Sequence, residues 1–99
     1  MAFASEKKME LRAQAKDRNT SVETLKGFLK SKDEILLAGL GTNPSAPVEV
    51  LAKLGAHNYF GARLAVARNA STPTILLETL AADEHFMVSA EAQKALANR

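Results

Sequence analysis

Asn43-Pro44-Ser45-Ala46-Pro47 and Asn69-Ala70-Ser71-Thr72-Pro73 carry the same asparagine, serine and proline at the same places, 26 residues apart. Working outward, that shift also superposes Leu51 on Leu77, Leu54 on Leu80, Ala56 on Ala82 and Phe60 on Phe86. Carried backward, it brings Val22 under Val48, Glu23 under Glu49 and Leu25 under Leu51. A fixed period of this length is the mark of stacked units, because one such unit cannot cover its own apolar face. The expected organisation is a single domain over 1–99: an N-terminal cap at 1–16, repeats at 17–42, 43–68 and 69–94, and a tail at 95–99.

Each unit reads as two short helices joined by tight turns. Thr20 followed by Glu23 suits a capping box, and Val22, Leu25, Phe28 and Leu29 then fall on one helical stripe. Pro47 and Pro73 are expected at the first helical position, where a missing N–H costs no hydrogen bond. Gly41 and Gly55 read as helix ends, and Asn58 and Asp83 as caps of the helices that follow. Asn43 and Asn69 form a ladder of turns, tolerating left-handed backbone and bonding the adjacent turn. Ser5 to Arg18 and the alanine-rich Glu84 to Asn98 read as helices covering the two ends of the stack. Leu25, Leu51 and Leu77, with Phe28, Leu54 and Leu80, are expected to be buried as columns.

Composition agrees with one small helical core. At 99 residues there is chain enough for one core and no more. The residues are 46% hydrophobic but only 5% aromatic, without tryptophan, so leucine, valine and alanine must fill it. No cysteine is present, which excludes disulfides, thiolate metal sites and a cysteine nucleophile. The longest apolar stretch, Ile35 to Leu40, is far too short for a membrane span, and no apolar run follows Lys7-Lys8. A soluble, cytoplasmic chain with no membrane partner is the expectation. The net charge of +2 hides a gradient: residues 1–32 sum to +4, 33–68 to zero and 69–99 to −2.

The run from Ala62-Arg63-Leu64-Ala65-Val66-Ala67-Arg68-Asn69 to Ser71-Thr72-Pro73, followed by Leu76-Leu77 and Leu80-Ala81-Ala82-Asp83, resembles the leucine-rich-repeat variant family. Asn43-Pro44-Ser45-Ala46-Pro47 with Leu51 and Leu54 is similar to the same pattern. Ser21, Asp17 and Leu37 depart from it in the first unit, where proline, asparagine and arginine are expected. The resemblance covers about residues 17–94 and implies a right-handed helical solenoid, all-α, with no catalytic residues. The period here exceeds the family's usual unit, which favours two ordinary α-helices per repeat.

Candidate site residues are few. His57-Asn58-Tyr59 falls in the turn inside the middle unit and holds one of the chain's two histidines and its only tyrosine. His57 and Tyr59 could serve ligand binding, but an ordinary capped turn, with the Tyr59 ring packed on a neighbouring helix, is the preferred reading. His85 is in register with Tyr59 and Asp83 with His57, but zinc needs three or four ligands at tight spacing, so no metal is expected. Arg63 and Arg68 stand about 140° apart round one helix and cannot form a single clamp. The resemblance gives Arg63 a structural role, its head bonding a neighbouring unit's carbonyls or acids; phosphate binding is the other reading. Lys26 and Lys30, one turn apart, belong to a basic N-terminal half. No catalytic triad or phosphate loop is present, so no enzyme and no cofactor are expected. The expected function is a binding or scaffolding module for a protein partner, with nucleic acid as the alternative. The apolar C-terminal helix further suggests a homodimer, with Phe86 and Leu96 near its interface.

Overall fold

The computed structural model describes residues 2–99, with side-chain surroundings from Ser5 onward; Met1, the first residue of the expected cap, lies outside the described residues. The chain is all-α: α1 (Ala2–Lys16), α2 (Val22–Gly27) continued by a 3₁₀ turn (Phe28–Lys30), α3 (Glu34–Thr42), α4 (Val48–Gly55), α5 (Phe60–Arg68), α6 (Thr74–Leu80) and α7 (Phe86–Ala97). The spacing of 26 residues seen in the sequence is also the spacing of helix starts, at Val22, Val48 and Thr74 and again at Glu34, Phe60 and Phe86. Helices α1, α3, α5 and α7 pack side by side in one row. The 3₁₀ turn, α4 and α6 form the other, and the molecule measures 43 × 24 × 19 Å.

Between the rows lies the core. Leu25, Leu51, Leu54, Leu77 and Leu80 are buried as expected, while Phe28 is only partly covered. Leu37, Leu40, Val66 and Val88 close the core from the other row. Two of these helices approach closely because Gly41 lacks a side chain: a Cβ there would stand 2.8 Å from Ala65 Cβ and 3.3 Å from the Ala62 carbonyl. Gly41 stands one residue before the end of α3, and Gly55 is the last residue of α4, as expected; Gly41 also serves this close contact.

Helix starts differ from expectation by about one residue. The cap of α2 is Ser21, whose hydroxyl accepts from the Thr24 N–H, while Thr20 instead donates to the Gln14 carbonyl at 2.7 Å. Thr72 repeats that bond to the Val66 carbonyl at 2.7 Å. Pro47 and Pro73 are the extended cap residues of α4 and α6, one place earlier than expected. Their carbonyls take the N–H groups of Leu51 and Leu77, and the missing N–H still costs nothing. Asn58 caps nothing. The caps of α5 and α7 are Tyr59 and His85, and their N–H groups are taken by His57 Nδ1 at 3.0 Å and Asp83 Oδ1 at 2.8 Å. Helix α7 starts in register with α3 and α5, so it stands as the next member of their row, not as an added cap.

At the ends of these helices the two buried asparagines tie one layer to the next. Asn43 Nδ2 donates to the Ala15 and Asp17 carbonyls at 2.8 and 2.9 Å, and Asn69 Nδ2 to those of Gly41 and Asn43 at 2.8 and 3.0 Å. Each Oδ1 accepts from the backbone N–H of Ser45 or Ser71, both at 2.8 Å. Neither backbone is left-handed; φ is −70° at Asn43 and −80° at Asn69. Ser45 and Ser71 hydroxyls add bonds to the Arg18 and Pro44 carbonyls. At the N-terminal edge Asp17 accepts from Asn19 N–H in the same way but has no amide to send onward. At the other edge Ala95 and Ala97 stand where asparagine and serine would recur, and Arg99 reaches the Ala70 carbonyl instead, at 3.2 Å. Among the described residues no helix is long and apolar enough to cross a membrane.

Candidate functional site

The outward face of the row of α1, α3, α5 and α7 carries a trough of about 410 Å³, lined from α1, α3 and α5. Its floor is made of small or apolar side chains: Ala38 and Gly39 from α3, and Gly61, Leu64 and Ala65 from α5. The bare backbone at Gly39 lets the Lys16 stem lie across it, since a Cβ there would be 2.9 Å from Lys16 Cγ. One edge is apolar: Ile35 is 59% exposed, and Met9 and Met87, at the equivalent places on α1 and α7, are 66% and 37% exposed. The opposite edge carries Lys16 and Arg68 across Thr42, and Lys94 continues that line on α7. Cations at helix C-termini also answer the helix dipole, which accounts for their position on each helix but not for the apolar line facing them.

Fixed ion pairs frame this face. Arg12 donates through Nε and Nη2 to Asp33 at 2.8 and 3.1 Å, and this hydrogen bonding holds the Asp33 carboxyl below its ordinary range and raises the guanidinium. Arg68 approaches Glu91 at 3.4 Å, a looser contact. Among the described residues no carboxylate lies within 4 Å of the Lys16 or Lys94 ammonium. Both residues are exposed.

The expected site residues are spread over several surfaces. Arg63 is engaged inside the protein: its Nε and Nη2 hold Asp83 at 2.8 and 3.2 Å, and its Nη1 donates to the His57 and Asn58 carbonyls. The side chains of that pair are 13% and 9% exposed, and the Arg63 hydrogen bonds, outweighing burial, hold the Asp83 carboxyl below its ordinary range. Arg68 points elsewhere, into the trough edge, so the two arginines are separated as the helical spacing requires. Lys26 lies on α2, paired with Glu49 at 2.9 Å, which raises its pKa; the exposed Lys30 ends the 3₁₀ turn, whose Phe28 and Leu29 are half-buried against the core.

His57 and Tyr59 border a second groove with Ser31, Lys32 and Phe60. An aromatic run starts there: Tyr59 meets Phe60 edge-on at 5.8 Å, and Phe60 stacks on His85 at 4.0 Å with 6° between planes. Phe86 continues it, 5.5 Å from His85 and 76% exposed. Leu96 is half-buried against the core about 15 Å further along α7, so Phe86 and Leu96 do not make one patch.

The residues of the trough other than Arg68 were not among the expected site residues. Their signal lay in columns at the common period: Met9, Ile35, Gly61, Met87 and Lys16, Thr42, Arg68, Lys94. Comparison with protein-family models, with curated proteins and with solved structures gives no match for this chain.

Proposed function

We propose that the chain is a short helical-repeat solenoid of the leucine-rich-repeat variant kind, with units at 17–42, 43–68 and 69–94, and that it is a non-enzymatic module for protein–protein interaction. The observation that carries the reading is the trough: an open apolar floor, in which Leu64 and Ala65 are buried, between an apolar and a cationic edge whose Ile35, Thr42 and Arg68 are exposed. The bonded asparagine ladder and the recurring helix starts support the repeat reading, because they join equivalent positions of successive layers. A photo-crosslinker at Ala38, inside the trough, is expected to capture protein-sized adducts in a lysate of the native host, and one at exposed Ala52 on α4 is not. Equal capture at both positions, or none, overturns this reading.

The cationic edge favours nucleic acid as the second reading. Adducts at Ala38 that disappear on nuclease treatment, with affinity falling steeply as salt rises, would establish it instead. Self-pairing through the C-terminal half rests on the exposed Phe86 ring, and light scattering at micromolar concentration that returns the monomer mass removes it.

A further inference from the structure

We infer that the trough is shaped for one acidic amphipathic helix, lying across α1, α3, α5 and α7 with its carboxylates on the cationic edge and its apolar side on the floor. This rests on the protein-binding reading above and names the partner's chemistry.

Width is the first argument. The two edges are seven residues apart on each helix, Ile35 to Thr42 on α3 and Gly61 to Arg68 on α5. At 1.5 Å per residue that is about 10 Å, the diameter of a helix with its side chains. An extended strand would bridge only one edge and leave the other uncovered. Length is the second. The trough runs over α1, α3 and α5, and a shallower depression beyond Arg68 carries the surface on to Lys94 of α7; four helices about 8–10 Å apart between axes span roughly 24–30 Å, which a helix of about 16–20 residues covers.

Charge complementarity is the third. Lys16 and Lys94 have no carboxylate within 4 Å among the described residues, and Arg68 holds Glu91 only loosely at 3.4 Å. Acidic side chains at one edge of a bound helix would meet these three groups in turn. The exposed Met9, Ile35 and Met87 on the other edge would cover its apolar residues, and flexible methionines adapt to a range of them. A nucleic-acid strand would use the cations and leave that apolar line in water, where it gains nothing.

The test uses the full chain and a labelled peptide of about 18 residues carrying glutamates on one helical face and leucines on the other. Fluorescence anisotropy is expected to show binding that weakens with salt. The same composition in scrambled order, and a lysine version of the same pattern, are expected to bind at least about 10-fold more weakly. Lys16→Glu combined with Lys94→Glu is expected to weaken the acidic peptide at least about 10-fold. Lys7→Glu with Lys8→Glu, an equal change in net charge, is expected to leave it within about 2-fold. Ile35→Ser should weaken it with its salt dependence unchanged. Indifference to helical pattern or to peptide charge overturns the inference. So does tighter binding of an oligonucleotide of similar length that Lys16→Glu abolishes. So does a sedimenting dimer that occupies the trough and excludes the peptide. If the peptide fails while Ala38 still captures protein, the partner's chemistry is wrong and the module stands; if both fail, both readings fall.

Discussion

Where α3 and α5 end, equivalent positions keep the same side chain and the same bonds: Asn43 and Asn69 each send two hydrogen bonds to the preceding layer and take one from the serine that follows. Across the open face of the same helices, equivalent positions carry Ile35, Gly61 and Met87, or Thr42, Arg68 and Lys94. The contrast follows from burial. A buried amide facing two carbonyls has one chemical solution, because an unpaired polar group there is costly. An exposed position next to solvent has many, so its identity is free to answer a partner. The two positions that keep their side chain are the buried, bonded ones, and those that vary are open to solvent.

The largest effect should come from breaking the constant edge. Asn43→Asp places a carboxylate where the amide now donates to the Ala15 and Asp17 carbonyls, in a fully buried site. It is expected to cost about 3–5 kcal/mol in urea unfolding. Asp17→Asn, at an exposed position whose side chain accepts from the Asn19 N–H, should change stability by less than about 0.5 kcal/mol. Equal effects of the two would show that the amide bonds do not hold the layers together.

Next comes the leucine column. Leu51→Ala removes a side chain that is 1% exposed and should cost about 2–5 kcal/mol. An unchanged Tm would mean that the column is not a core.

A third, smaller effect belongs to the Arg63–Asp83 pair. Arg63→Ala should cost about 2 kcal/mol, since it removes charge-assisted bonds to Asp83 and to two carbonyls. Because Arg63 holds the Asp83 carboxyl down, the pair stabilises the fold above the unfolded carboxylate value of about 3.9, and that part is lost as pH falls through the folded value. The gap in stability between wild type and Arg63→Ala should therefore be widest above about pH 5 and narrow in acid. A gap that stays constant down to pH 2 would remove the ion pair from the account.

The smallest effect on stability is expected on the open face. Ile35→Ser should shift stability by no more than about 0.5 kcal/mol, and Lys16→Glu with Lys94→Glu by about 1 kcal/mol for each helix end at most, through the helix dipole. A larger loss would mean that these side chains serve the fold and not a partner.

Much of the architecture could be read from the chain before any coordinates. Leucine spacing and the Asn-x-Ser-x-Pro stretch point to the columns and to the bonds between turns, because burial and a paired amide leave few alternatives at those positions. Caps were less legible. Ser21 and Thr20 are both good cap residues, and which one turns its hydroxyl to the helix depends on Thr20 having the Gln14 carbonyl within reach. Tyr59 and His85 are not favoured caps at all; the residues two before them supply the acceptor for their N–H groups. Gly41 stands in the last turn of α3 as its type suggests, but its second task, the close approach of Ala65, is visible only in three dimensions. The trough was hidden for a different reason. Each of its residues is ordinary on its own helix, and only the row of four helices brings an apolar line and a cationic line to face each other.

The most direct measurement of that reading is a titration of isotopically labelled protein with the acidic amphipathic peptide, followed amide by amide. Shifts are expected at Lys16, Ala38, Gly39, Gly61, Ala65, Arg68 and Lys94. The groove at Lys32 and His57, and the far row at Ala52 and Ile75, should stay still. Shifts concentrated at Ser31, Lys32 and His57, or spread evenly over both rows, would contradict the assignment of the open face as the docking site proposed for this chain.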